Sequence, residues 1–239
     1  FANFAPNLKM YKEIIRIGMP SLYRQGLASV AGIILNQSAG PFGDAAIAAM
    51  SIIGRVFYLA VSALLGFGQG FQPVCGYNYG ARLYKRVTDA FWFCIKVSAI
   101  ALTIVSIIGF IFAPQIIALF RRDDPLVIAI GSTAMRYQCI AFPLSSWIII
   151  TNMFVQTIGK SKEASILSLA RQGLFFIPPI LILPTFLGLT GVQVSQPIAD
   201  LVTFIMALNI SIKVIKELNQ LQKEQDMGTE SKTESVSTY

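Results

Sequence analysis

The sequence predicts an all-α membrane protein of six transmembrane helices, and three observations carry that reading. Of its 239 residues, 54% are apolar and only 13% are charged, against about 25% charged in an ordinary soluble domain. The apolar residues gather in six stretches, each near the roughly 20 residues that cross a hydrocarbon core about 30 Å thick. The lysines and arginines between those stretches collect at one set of alternate ends, the asymmetry that orients membrane helices.

The first stretch, Ile17 to Ala39, is entered through a basic segment carrying Lys9, Lys12 and Arg16. Pro41 and Gly43 mark a tight turn. Asp44 is expected to cap the second stretch, Ala45 to Gly70, because a side-chain oxygen there can accept from the free N–H groups of a helix's first turn. The segment GFGQGFQPVCGYNYGARLYKR, Gly66 to Arg86, is rich in glycine but carries no nucleotide signature. A dinucleotide fingerprint needs a glycine where Phe71 stands, and no GK[ST] follows for a phosphate loop. It reads as the end of the second helix, stopped by Pro73 and Gly76, and then a loop to Arg86.

Asp89 leads the third stretch, about Ala90 to Ala113. In RRDDP, Arg121 to Pro125, an acidic cap precedes a proline at the first helical position, a favoured way to start a helix. The fourth stretch, Leu126 to Ile158, would measure roughly 50 Å as one rod, so a bend at Pro143 is expected. Lys160 and Lys162 precede the fifth, Ala164 to Leu187, which contains Pro178, Pro179 and Pro184. The sixth, Gly191 to Ile212, contains Pro197 and ends at Lys213 and Lys216. Residues 1–16 are thus a basic lead-in, 17–216 a six-helix bundle, and 217–239, polar and almost free of aromatics, a disordered tail.

Lys9, Lys12, Arg16, Arg82, Lys85, Arg86, Lys160, Lys162, Lys213 and Lys216 fall on one side, against Arg121 and Arg122 on the other. That places both termini in the cytoplasm and the chain in the inner (plasma) membrane. The net charge of +7 is then a topology signal, with the lipid bilayer and not nucleic acid as the partner. There is no histidine, and Cys75, Cys94 and Cys139 are widely spaced. These exclude a histidine-built zinc or haem site and leave the cysteines as small core residues. A hydrolase would need a nucleophile–base pair or clustered metal ligands, so no catalytic residue, metal or cofactor is expected. The chain opens at Phe1 without a signal peptide, and preceding sequence is expected to be missing.

Ionisable groups at depth in a membrane require a partner, a wet cavity or a function. At a rise of 1.5 Å per residue, Arg24, Arg171 and Asp200 lie roughly 12, 13 and 20 Å from the cytoplasmic side, and Arg55 roughly 16 Å from outside. These four can meet near the midplane. Asp200 either pairs with Arg24, Arg55 or Arg171 to hold the sixth helix, or takes part in ion coupling. Arg136, roughly 33 Å from the inner end of its span, reads as an anchor at the outer interface, and Lys96 as one that reaches the interface along its own stem. Amides recur at Gln25, Asn36, Gln37, Gln69, Gln72, Gln138, Asn152, Gln156 and Gln172. Each can bond a neighbouring helix, while together they suggest a hydrated passage. The prolines and glycines fit interrupted helices, which membrane proteins tolerate beside a cavity.

In order and spacing, IGMPS (Ile17 to Ser21), GFGQGFQPVCGYNYGA (Gly66 to Ala81), TIGKSKEA (Thr157 to Ala164), LARQGLFFIPPILILP (Leu169 to Pro184) and GLTGVQVSQPIADLV (Gly188 to Val202) resemble the second half of a multidrug and toxic compound extrusion (MATE) family transporter, closest to its prokaryotic branch. The resemblance covers Lys9 to Lys216. It implies one six-helix bundle of a twelve-helix antiporter that exports amphipathic, cationic organic compounds in exchange for Na+ or H+. The partner is then a missing N-terminal six-helix half, or a second copy if the protein is half-size. On that reading the substrate cavity is assigned to Arg24, Gln25, Asn36, Arg55, Tyr137, Asn152 and Arg171, and local ion coupling to Asp200. Many members carry coupling carboxylates in the helices matching the first and fourth stretches here, which contain none in their membrane portions. The alternative within the superfamily is a flippase for lipid-linked oligosaccharide, since the excess of buried arginines over acids suits a pyrophosphate.

Overall fold

The computed structural model describes residues 7–237, with side chains through Met227, so the lead-in and tail are seen only within those limits. Among the described residues all regular structure is helical. Helix α1 (Leu8–Ala39) starts where Asn7 Oδ1 accepts from the Lys9 N–H at 3.0 Å and runs unbroken from the basic lead-in through the first stretch. A single 3₁₀ turn, Gly40–Phe42, follows, and Gly43 takes φ 93°, a conformation that glycine adopts without steric cost. Helix α2 (Asp44–Gly80) corrects two expectations. Gly43 holds the cap position and Asp44 is the first helical residue, with no side-chain capping bond. The helix also passes straight through Pro73 and Gly76, because Phe71 and Cys75 on this segment are buried in the core and packing outweighs the local breakers. The turn comes later, at Ala81–Leu83, with Arg82 at φ 60°.

Helix α3 (Tyr84–Ile111) contains Asp89 in its second turn, and the short α4 (Ala113–Phe120) follows. Helix α5 (Pro125–Ala141) starts as the sequence predicts: Asp124 Oδ1 accepts from Leu126 N at 3.1 Å and Val127 N at 3.3 Å. It meets α6 (Leu144–Thr157) at 54° across Pro143. Helix α7 (Ser161–Leu169) widens into a π-helical segment, Ala170–Leu174, before α8 (Ile177–Leu187). Gly188, at φ 57°, turns the chain into α9 (Leu189–Ser237).

The tail expected to be disordered from residue 217 instead begins as a continuation of α9. Leu218 is buried with Val214 and Ile215 against the core, and Glu217 pairs with Lys160. Apolar burial supplies the ordering free energy that polar composition alone would not.

Among the described residues, four helices are long and apolar enough to cross a membrane, or five if the bent α5–α6 pair is one span. The sixth expected span is α1. At 32 residues it has the length, but Arg24, Gln25, Asn36 and Gln37 dilute its apolar content.

Two large apolar cores and a small third cluster, joined to the first through Trp147, fill the bundle. One is aromatic: Phe91 meets Phe154 at 4.7 Å and Trp147 at 6.3 Å between ring centroids, and Trp147 meets Phe204 at 6.0 Å. The edge-on and tilted angles are those the ring quadrupole favours. The other is built on small residues, with Ala46 and Ala49 of α2 fully buried beside Ile117, Phe176 and Ile180, as close helix approach in membranes requires. Outside these cores α3 exposes Ile100, Ile104, Ile107, Ile108 and Ile111, and α8 exposes Leu181, Phe186 and Leu187. An apolar surface of that extent suits lipid rather than water.

At one end the α2–α3 turn, the α6–α7 link and the continuation of α9 converge: Lys160 pairs with Glu217, and the Lys85 N–H donates to Gln222 Oε1 at 3.3 Å.

Candidate functional site: a polar cavity between the helices

A cavity of about 320 Å³ opens between α1, α2, α5, α6, the π-helical segment and α9, at the lower end of the range that small-molecule sites occupy. The helical repeat decides what lines it. From α2 come Gly54, Phe57, Tyr58 and Val61, and from α9 Gln193, Gln196 and Asp200, each set spaced as one face of a helix. α1 contributes Arg24, Gln25, Ala28 and Leu35, and the π-helical segment contributes Arg171 and Gln172. The walls are mostly apolar, and the polar groups stand in two clusters.

The first cluster surrounds Asp200, whose side chain is fully buried. Its Oδ1 accepts from Arg171 Nε at 2.9 Å and from Gln196 Nε2 at 3.1 Å, and its Oδ2 from Gln138 Nε2 at 3.2 Å. Arg171 Nη2 also donates to Ser145 Oγ at 2.9 Å, from the first turn of α6 just after the Pro143 bend. The ion pair therefore joins the π-helical segment to α9, and its hydrogen bonds extend the link to α5 and α6. Arg171 lies in the π-helical stretch, where the Phe175 N–H reaches back to the Ala170 carbonyl at 2.8 Å. Such insertions are rare in helices and frequent at functional sites.

The second cluster centres on Asn152, which is buried on α6. Its Nδ2 donates to the Ala164 carbonyl at 2.8 Å and to Ser168 Oγ at 3.0 Å, and its Oδ1 accepts from Arg24 Nη1 at 3.4 Å. Nearby, Gln156 Nε2 donates to the Ile17 carbonyl at 2.9 Å and to Ser21 Oγ at 3.1 Å, tying α6 to the start of the first span.

Of the residues the sequence pointed to, Arg24, Gln25, Asn152, Arg171 and Asp200 line this cavity. Asn36, Arg55 and Tyr137 do not. Each sits one residue beyond or before a lining position, next to Leu35, Gly54 and Gln138 respectively, and a step of about 100° takes it off the lining face. Asn36 and Arg55 are exposed, and Tyr137 is partly buried elsewhere. Of the three arginines weighed as partners for Asp200, Arg171 is the one that pairs with it. Arg136 stays outside the cavity, its guanidinium 5.8 Å from the centre of the Phe110 ring. Gln193, Gln196 and Ser145 were missed. Gln193 and Gln196 share the i, i+3, i+7 stripe with Asp200, a signal that laying α9 on a helical wheel reveals.

An all-helical bundle with a lipid-suited surface, proline-interrupted spans and a cavity whose apolar walls carry buried polar groups defines a multi-pass membrane protein of the transporter type. The chain belongs to the MatE family, whose model matches residues 20–182. It is 26% identical over 205 residues to multidrug export protein MepA of Staphylococcus haemolyticus, covering 86% of this chain and 45% of that protein. Two solved structures of a multidrug resistance MATE family transporter of the MOP superfamily superpose on it. The outward-facing conformation gives a TM-score of 0.82 at 25% identity over 91% of this chain and 49% of that one. The inward-facing conformation gives 0.78 at 26% identity over 92% and 51%. The chain thus spans about half the length of these relatives.

Proposed function

We propose that this chain is the C-terminal six-helix lobe of a MATE-type antiporter that exports amphipathic organic compounds across the plasma membrane in exchange for Na+ or H+, with both ends of the lobe cytoplasmic. The observation that carries the reading is the cavity itself. It is apolar on Phe57, Tyr58, Phe142 and Phe176 and polar on Arg24, Gln25, Asn152 and the Arg171–Asp200 pair, so it offers an amphipathic molecule both kinds of contact. The export names carried by the relatives support the same reading, and none of those described above points to the flippase alternative.

Alternation between inward and outward openings needs elements with two arrangements. The 54° joint at Pro143 and the π-helical break at Ala170–Leu174 are the irregular points of the bundle, and Arg171 bonds residues on both sides of the cavity. Asp200 is the one acid among the described residues of the cavity wall, so a coupling ion acting in this lobe would compete with Arg171 for its carboxylate. The remaining partners of the reading are the other lobe, or a second copy of this one, and the bilayer.

The test is dye efflux from cells expressing the complete gene, with and without a sodium or proton gradient. Export that needs one gradient supports the antiporter. Unchanged coupling and export in Asp200→Asn would remove Asp200 from the coupling step, and absence of export in the parent would overturn the reading.

A further inference from the structure

We infer that this lobe carries an anion-recognition site at Arg24, built to receive the acidic group of an amphipathic molecule whose apolar body rests on the aromatic wall of the cavity. The inference rests on the transporter reading above and specifies its substrate.

Charge balance is the starting point. The described residues lining the cavity hold two guanidinium groups, Arg24 and Arg171, and one carboxylate, Asp200. Asp200 is committed: its Oδ1 takes Arg171 Nε at 2.9 Å and both of its oxygens accept from glutamines. Arg24 is left with an amide dipole, Asn152 Oδ1, at 3.4 Å, and no described acid stands within ion-pair distance of it. A half-buried cation in an apolar setting is stabilised far better by an opposite charge than by a single long hydrogen bond.

The mounting is also that of a site rather than of a side chain in passing. Asn152 is 4% exposed, and both protons of its Nδ2 are used, on the Ala164 carbonyl and Ser168 Oγ. Its Oδ1 is thereby held toward Arg24 and fixes one edge of the guanidinium, leaving further N–H groups for a ligand. Guanidinium binds planar carboxylate and tetrahedral phosphate or sulfonate through paired hydrogen bonds, which gives it orientation as well as charge. Phe57, Tyr58, Phe142 and Phe176 on the same cavity supply the surface for an aromatic or alkyl body. A cationic amphiphile finds no uncommitted carboxylate among the described residues lining this cavity.

The experiment uses the complete gene product in zwitterionic lipid nanodiscs and three probes with one fluorophore: dansylglycine (anionic), dansylglycinamide (neutral) and dansylcadaverine (cationic). Dansylglycine is expected to bind at least tenfold more tightly than its amide. Arg24→Gln should reduce that ratio to within about twofold, with a melting temperature and size-exclusion profile matching the parent showing that the variant is folded, and Arg24→Lys should keep most of the preference. Equal binding of acid and amide, tighter binding of the amine, or a preference that survives Arg24→Gln would each overturn the inference.

Uptake of the same probes into proteoliposomes separates it from the reading beneath it. Arg24-dependent binding without transport of any probe leaves the site standing and removes the export function; transport of the amine without binding of the acid does the reverse. Repeating the binding with anionic lipid in the nanodisc identifies the source of the ligand. Loss of dansylglycine binding there assigns the site to a lipid headgroup, and retention assigns it to a soluble anion, the anionic chemistry holding in both cases.

Discussion

Arg171 Nε donates to Asp200 Oδ1 at 2.9 Å, and the two side chains differ sharply in their access to solvent: Arg171 is 16% exposed and Asp200 not at all. The pair connects a π-helical break to the N-terminal part of α9. Breaking a buried ion pair by removing one partner costs about 3–5 kcal/mol, because the other is left charged and unpaired. Arg171→Gln strands a carboxylate that keeps only two glutamine donors, whereas Asp200→Asn leaves an arginine that can turn toward the cavity. Thermal unfolding of the purified variants should therefore rank Arg171→Gln as the more destabilised, with the double variant less affected than the two losses added together. Equal and additive losses would show that the pair does not act as a unit.

Gly191 and Gly68 make opposite predictions from the same substitution. A Cβ on Gly191 would lie 2.6 Å from Pro184 N and collide with the Leu183 carbonyl, all backbone of α8. On Gly68 the nearest atom belongs to the flexible end of Met153. Backbone cannot step aside without opening the α8–α9 hairpin, while a methionine changes rotamer readily. Gly191→Ala should cost about 1–3 kcal/mol, seen as a lower melting temperature or loss of a monodisperse peak. Gly68→Ala should remain near the parent.

The end of α9 offers a contest between a charge pair and an apolar contact. Lys160 and Glu217 are 28% and 43% exposed, and pairs so placed contribute about 0–1 kcal/mol. Leu218 is 3% exposed, and truncating a buried leucine costs about 2–5 kcal/mol. Leu218→Ala is expected to lower stability clearly more than Glu217→Gln. A chain ended after Lys216 should lose stability. If ending the chain after Lys216 left the melting temperature unchanged, α9 would contribute nothing beyond the bundle.

These contacts also show what a sequence can disclose about such a fold. Apolar runs, the Asp124–Pro125 start and the Pro143 bend were legible because each rests on a local cause: helix length against membrane thickness, a capping oxygen, a missing N–H. The through-running helix at Pro73 and the helical start of the tail were not, because burial of Phe71, Cys75 and Leu218 against distant residues decides them. At the site, depth counting put Arg24, Arg171 and Asp200 at comparable heights, and all three line one cavity. It failed for Arg55, since depth fixes height along a helix but not the face, and Gly54 rather than Arg55 faces the cavity. Ser145 became visible only once the α5–α6 bend set it beside Arg171.

Orientation is open to a direct measurement, helped by the cysteines. Cys75, Cys94 and Cys139 are unpaired and buried, so single exposed cysteines can be read against a low background. Arg82 lies in the α2–α3 turn at the end where Lys160 meets Glu217, and Arg122 lies in the α4–α5 link. The excess of lysine and arginine around Arg82 predicts that its end is cytoplasmic. An impermeant maleimide added to intact cells should label Arg122→Cys and leave Arg82→Cys untouched until the membrane is permeabilised. The reverse pattern would invert the lobe and with it the direction in which the cavity must open to release an exported compound, so the labelling result bears on the transport cycle as well as on topology.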